Sequence, residues 1–168
     1  MNNPYGAEQI FGFCEQHWPE THNVPHHYVL YLHRLVQLEH QSSDAVMKRH
    51  GLSGAEFDIL ATLRRTESPF VLSPTQLQRS TLLSSGGQTK LLYQLEAKGL
   101  IERSVNPDDK RSKFVHLNTA GKELVEVVMA ETLARLRGLF DEAGLKKKDV
   151  RQLIGLMGKL LTVLEGET

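Results

Sequence analysis

A chain of 168 residues, 40% apolar and 24% charged, suits one globular domain able to bury most of its apolar surface on folding. No basic leader precedes an apolar run, no segment nears about eighteen uninterrupted apolar residues, and Cys14 is the single cysteine, so a signal peptide, a membrane span and an intrachain disulfide are not expected and a cytoplasmic location is. The formal net charge of zero conceals a dipole: residues 1–78 hold five Lys or Arg against eight Asp or Glu, 79–122 hold eight against four, and 123–168 hold seven against eight.

In chain order, residues 1–25 are polar and broken by Pro4, Gly6, Gly12, Pro19 and Pro25, which reads as an N-terminal arm with one short helical stretch, Glu8 to His17. His26 to Arg49 lacks Pro and Gly and repeats Tyr28, Leu32, Leu35, Val36, Val46 and Met47 at roughly helical spacing, a long helix ended by Gly51. SGAEFDILATLRR opens on Ser53 with Glu56 three residues later, a capping box, and Phe57, Ile59, Leu60 and Leu63 form its apolar face. Phe70 to Leu72 is β-prone, and Ser73-Pro74 starts a short helix with a Ser cap and Pro in the first turn.

After Thr81-Leu82-Leu83, Ser84 or Ser85 can cap a further helix through Lys98, with Leu91, Leu92 and Leu95 inward and Gly99 as the stop. LIERSV and SKFVHL read as strands joined by the loop NPDDKRSKF, whose basic half a simple turn does not require. Thr119 is expected to cap a helix to about Phe140, and a last helix runs from Lys146 to about Leu164. Val150, Leu153, Met157, Leu160 and Leu164 in that last helix alternate spacings of three and four, which fits either a core stripe within the chain or a seam awaiting a partner.

The order helix, helix, short strand, short helix, connector, helix, two-stranded hairpin is that of a winged helix-turn-helix: mainly α with a small antiparallel β-wing. Its second helix of the pair would offer Ser85, Gln88, Thr89, Lys90 and Gln94 to phosphates and base edges. Ser73, Thr75 and Ser84 flank that pair, and Asp109, Lys110, Arg111 and Lys113 sit on the wing.

GLSGAEFDILATLRR, LSPTQL, SSGGQTKLLYQLEAKGLIER and NPDDKRSKFVHLNTAGKEL resemble successive blocks of a MarR-family transcriptional regulator, from about Tyr28 to the C-terminus. The family's wing pattern, Asp, any residue, Arg, three residues, then an aliphatic, falls on Asp109, Arg111 and Val115. The resemblance implies that Arg111 reaches a minor groove, that Asp109 orients basic side chains at the wing base and that Val115 packs inside. It implies a homodimer built by the flanking helices, 26–49 and 121–168, around a DNA-binding core at 50–120, and a pseudo-palindromic operator on double-stranded DNA. The phrase FDILATLRRTESPFVLSPTQL is similar to a subgroup with an N-terminal extension whose members often repress until a small aromatic or anionic effector binds. Leu91 stands where urate-sensing members of that subgroup carry Arg.

Asp58 and Arg65, beside the cleft where the family binds effectors, with Tyr31 and His33, are the candidate effector residues, although a local salt-bridge network on the helix explains Asp58 and Arg65 equally well. Cys14 resembles the thiol switch of peroxide-responsive relatives, with Tyr28 and Tyr31 available to it; packing among Phe11, Phe13 and Trp18 is the plainer reading. His26, His33 and His40 recur every seven residues and His22 and His26 are four apart, but no carboxylate or thiol completes a compact set, so neither a metal nor a cofactor is assigned. No nucleophile elbow or phosphate loop points to an enzyme. The alternative class is a winged-helix protein-interaction module, which a neutral net charge permits.

Overall fold

The computed structural model describes residues 5–81, 85–105 and 113–166, the side chains of 85 and 86 excepted. In the N-terminal segment α1 (Ala7–His17) packs against a 3-10 turn (Pro19–Thr21) and against α2 (Val24–Arg49). Phe11 lies between the His22 and His27 rings, at centroid distances of 4.2 and 3.9 Å, and Tyr31 donates to Glu8. Helix α2 starts earlier than expected because Asn23 caps it, accepting from the His26 N–H at 3.0 Å, and Pro25 fits a first turn whose N–H groups need no helical partner.

Helix α3 (Gly54–Arg64) carries the expected reciprocal capping box: the Ser53 N–H donates to Glu56 Oε2 at 2.9 Å and the Glu56 N–H to Ser53 Oγ at 3.3 Å. It is the centre of the core, with Phe57, Ile59, Leu60 and Leu63 all buried. Strand β1 (Val71–Leu72) leads into α4 (Pro74–Ser80), where Ser73 and Gln76 form a second capping box. Helix α5 (Ser85–Ala97) follows and ends at Gly99, whose φ of +69° is the left-handed conformation glycine adopts without a Cβ penalty.

Strands β2 (Ile101–Val105) and β3 (Lys113–Leu117) pair antiparallel with Ile101 opposite Leu117 and Val105 opposite Lys113, and β1 pairs on the other edge of β3, giving the order β1-β3-β2. The expected alternation holds on β3: Val115 and Leu117 face the core, Phe114 and His116 the outer side. Helix α6 (Thr119–Glu142) is capped by Asn118 and not by Thr119. The Asn118 amide serves two elements, accepting from the Gly121 N–H at 2.9 Å and donating to the Gly99 carbonyl at 2.8 Å.

Helix α7 (Lys147–Gly166) buries no residue in the chain, and Leu153, Met157, Leu160 and Leu164 on its stripe stay exposed, so the stripe is not an intrachain core. Among the described residues no helix is long and apolar enough to cross a membrane.

Candidate nucleic-acid interface

The capping box at Ser73 starts α4 with Thr75 exposed in its first turn. The Ser73 hydroxyl already accepts from the Gln76 N–H at 3.2 Å, which leaves its proton for another partner. On α5, Leu92 and Leu95 are buried and Leu91 is half-buried, while Thr89, Lys90 and Gln94 are exposed. Gln88 corrects the expectation of a base contact. Its side chain is 4% exposed and donates through Nε2 to the Pro74 carbonyl at 3.1 Å, so the amide links α5 to the N-terminus of α4. Buried amides find protein partners because leaving them unpaired costs about 1–3 kcal/mol.

Lys113 is exposed at the base of the wing. Ser84, Asp109, Lys110 and Arg111 lie outside the described residues, as does the side chain of Ser85. The wing base is nevertheless fixed by residues that periodicity did not single out. Arg103 on β2 donates through Nε to Glu96 Oε2 at 2.9 Å, and its guanidinium carbon stands 4.1 Å from the centroid of the Tyr93 ring. The Glu96 carboxyl is held below its ordinary range by the Arg103 hydrogen bond, with partial desolvation opposing. Two residues of α5 thus grip the first strand of the wing. The signal in the sequence was a cation at the period-two position that Ile101 marks as inward.

A second cation was missed at the other end of α5. Lys98 donates to the Gly51 carbonyl at 2.8 Å and to Glu56 Oε1 at 2.6 Å. Burial would raise the Glu56 carboxyl, but hydrogen bonds from Lys98 and from the backbone and hydroxyl of Ser53 bring it below its ordinary range.

The four candidate effector residues do not converge. Arg65 lines an open cleft of about 520 Å³ between α3 and α6, with Ala61, Arg64, Val125, Glu126 and Met129. Its guanidinium donates to Thr62 Oγ1 at 2.9 Å, while Arg64 is paired with Glu126 at 2.6 Å. Asp58 is exposed, and desolvation raises its carboxyl against the pull of Arg65 and His40. Tyr31 and His33 sit elsewhere: Tyr31 in a shallow depression with Val24, His27 and Tyr28, and His33 in a groove with Ile10 and Arg34. The Cys14 thiol is 3.9 Å from His26 Nδ1, which lies 2.9 Å from the Thr21 carbonyl. A proton on Nδ1 donated to that carbonyl leaves Nδ1 unable to accept from the thiol as well. Among the described residues no group of three or more His, Cys, Asp or Glu could hold a metal ion.

A short helix, then a helix with a polar outer face, then a pair of antiparallel strands gripped by that helix define a winged helix-turn-helix, the class that presents such a helix to duplex DNA. The chain belongs to the MarR family, whose model matches residues 50–112. It is 32% identical over 131 residues to the HTH-type transcriptional regulator PecS of Dickeya dadantii (strain 3937), covering 77% of this chain and 79% of that one. It is 34% identical over 121 residues to the HTH-type transcriptional regulator YkoM of Bacillus subtilis (strain 168), covering 72% and 74%. Its fold matches a mutant MarR from E. coli complexed with operator DNA, with a TM-score of 0.63, 26% identity, and coverage of 80% of this chain and 96% of that one. The protein is accordingly a DNA-binding regulator of transcription and not an enzyme.

Proposed function

We propose that two copies of the chain form a repressor that occupies a pseudo-palindromic operator and leaves it when a small aromatic or anionic effector binds. The observation that carries this reading is the division of α5: Gln88, Leu92 and Leu95 face the protein, and Thr89, Lys90 and Gln94 face outward. Gln94 has the amide that pairs with an adenine edge and Lys90 the ammonium that suits guanine or phosphate. Thr75 on α4 and Lys113 at the wing base are further contact candidates, with Ser73, Ser84, Ser85, Asp109, Lys110 and Arg111 in supporting positions along the chain.

Dimerisation is supported by α7, whose apolar stripe stays exposed among the described residues, and by the exposed apolar residues Tyr28, Leu35 and Leu38 of α2. The cleft between α3 and α6 supports the effector: it is walled by Val125, Met129 and Leu133 and carries Arg65 at its rim, a combination that suits a flat ring with a carboxylate. An occupant need favour the DNA-incompetent dimer by only about 1–3 kcal/mol to give a useful switch.

Footprinting on the DNA flanking the protein's own gene tests the reading. Protection of two half-sites about one helical turn apart, relieved by an aromatic carboxylate, is the expected result. Absence of protection on any flanking DNA would overturn it.

A further inference from the structure

Among the described residues, polar ties run from α5 and its C-terminal end to α4, to the wing and to the corner where the winged helix meets α2. Near its start, Gln88 binds the Pro74 carbonyl, and toward its end Glu96 binds Arg103 of the wing. Past its last turn, Lys98 Nζ bridges the Gly51 carbonyl and the buried Glu56 carboxylate. Gly51 lies in the turn between α2 and α3, with a φ of +71°. The residues just before it are held by α6: His50 Nε2 is 2.7 Å from Glu131 Oε2, and the Arg49 guanidinium donates to the other oxygen of the same carboxylate. The corner between α2 and α3 is therefore held both by the long helix α6 and by the end of α5.

We infer that Lys98 is a positioning residue: it fixes the tilt of α5 by tying its C-terminal end to the α2–α3 corner, and Glu131 makes that corner follow the long helices. The inference rests on α5 being the recognition helix. At about 1.5 Å per residue α5 is a lever on the order of 20 Å long. Leu92 and Leu95 give it an apolar bearing in its C-terminal half, on which it can pivot once an end is released. Hydrogen bonds to base edges tolerate a spread of only about 0.5 Å in length, so a small pivot moves Lys90, which lies farther from that bearing than Gln94, off its base edge while leaving phosphate attraction in place. The Lys98 side chain is 39% exposed but that of Glu56 only 5%, so Lys98→Met also leaves a buried carboxylate without its cation, and thermal unfolding measured beside binding separates that cost from lost base readout.

The test compares the full chain with Lys98→Met, Lys98→Arg, Glu131→Gln and the double variant Lys90→Ala/Gln94→Ala. Affinity is measured for the footprinted duplex and for an unrelated duplex of equal length, with thermal unfolding alongside. Lys98→Met is expected to weaken the footprinted duplex about tenfold and the unrelated one less than about twofold, the signature of lost base readout. Lys98→Arg, which can span both acceptors, restores most of the loss. Glu131→Gln keeps the size of the side chain, removes the charge, and is expected to weaken the footprinted duplex about threefold; it carries the test if Lys98→Met fails to fold. Unchanged affinity for the footprinted duplex in Lys98→Met, or in Glu131→Gln where that variant carries the test, overturns the inference, as does an equal loss on both duplexes. If Lys90→Ala/Gln94→Ala binds both duplexes like the parent, α5 is not the recognition helix and the underlying reading fails. If that variant is weakened while Lys98→Met is not, only the tie fails.

Discussion

Gly121 shows how one atom can decide a junction. A Cβ at this buried position would lie 2.1 Å from the Leu100 carbonyl oxygen and 2.8 Å from Leu117 Cδ1, so the first turn of α6 approaches Leu100 and β3 only because no side chain intervenes. Gly121→Ala is expected to destabilise the fold by on the order of 2–3 kcal/mol in chemical denaturation, in spite of the better helix propensity of Ala. Glu56 makes a second residue-scale prediction. Its folded carboxyl titrates below the ordinary value of 4.5, so its contribution to stability is complete above that pH and is lost as pH falls through the depressed value. Stability followed from pH 6 to about pH 3 should therefore fall less steeply in Glu56→Gln, and an identical slope would show that the carboxylate is not the titrating group. The Ser53/Glu56 box was legible because its spacing is local. The Lys98 partner was not, because a contact across 42 positions leaves no periodic trace. Gln88 was misread for a related reason: as a polar residue on a helix it gave no sign that a carbonyl of α4 would be within reach.

At the scale of elements, apolar periodicity carried the reading well wherever one face of a segment meets the core. The strands at 101–105 and 113–117 and the inward Leu92 and Leu95 follow from it, and Pro74 in the first turn of α4 follows from the Ser-Pro cap signal. Helix ends followed from it less well. Asn118 rather than Thr119 caps α6 because its amide can also reach Gly99 at the end of α5, a tertiary advantage invisible in the local sequence. The wing base adds a prediction at this scale. Arg103 has its side chain largely buried against Glu96 and Tyr93, so Arg103→Met removes the grip of α5 on β2 and leaves the Glu96 carboxylate unopposed. Affinity for the footprinted duplex is expected to fall about five- to tenfold in an anisotropy titration, with the far-UV spectrum unchanged. Parent-like affinity would show that the wing holds its position without this pair.

For the whole molecule, the charge segments and the exposed apolar stripes divide the work. The basic excess between Arg79 and Lys122 coincides with the helix-turn-helix and the wing, whereas α2 and α7 carry exposed apolar side chains. The stripe on α7 was visible as a spacing of threes and fours, but the sequence left open what covers it; a helix with no buried residue removes the intrachain alternative. Replacing Leu153 and Leu160 together with Asp is expected to yield a monomer in sedimentation velocity, with weakened binding to the footprinted duplex, and an intact dimer would refute the seam. The central claim is that α5 and the wing bind duplex DNA, and Arg111 is the wing residue on which it depends most. Anisotropy titrations of the parent chain and Arg111→Ala on the footprinted duplex, repeated from about 50 to 200 mM salt, measure it directly. The account predicts a loss of about tenfold or more in affinity and a log–log salt slope shallower by about one in the variant. Equal affinities and equal slopes would contradict it.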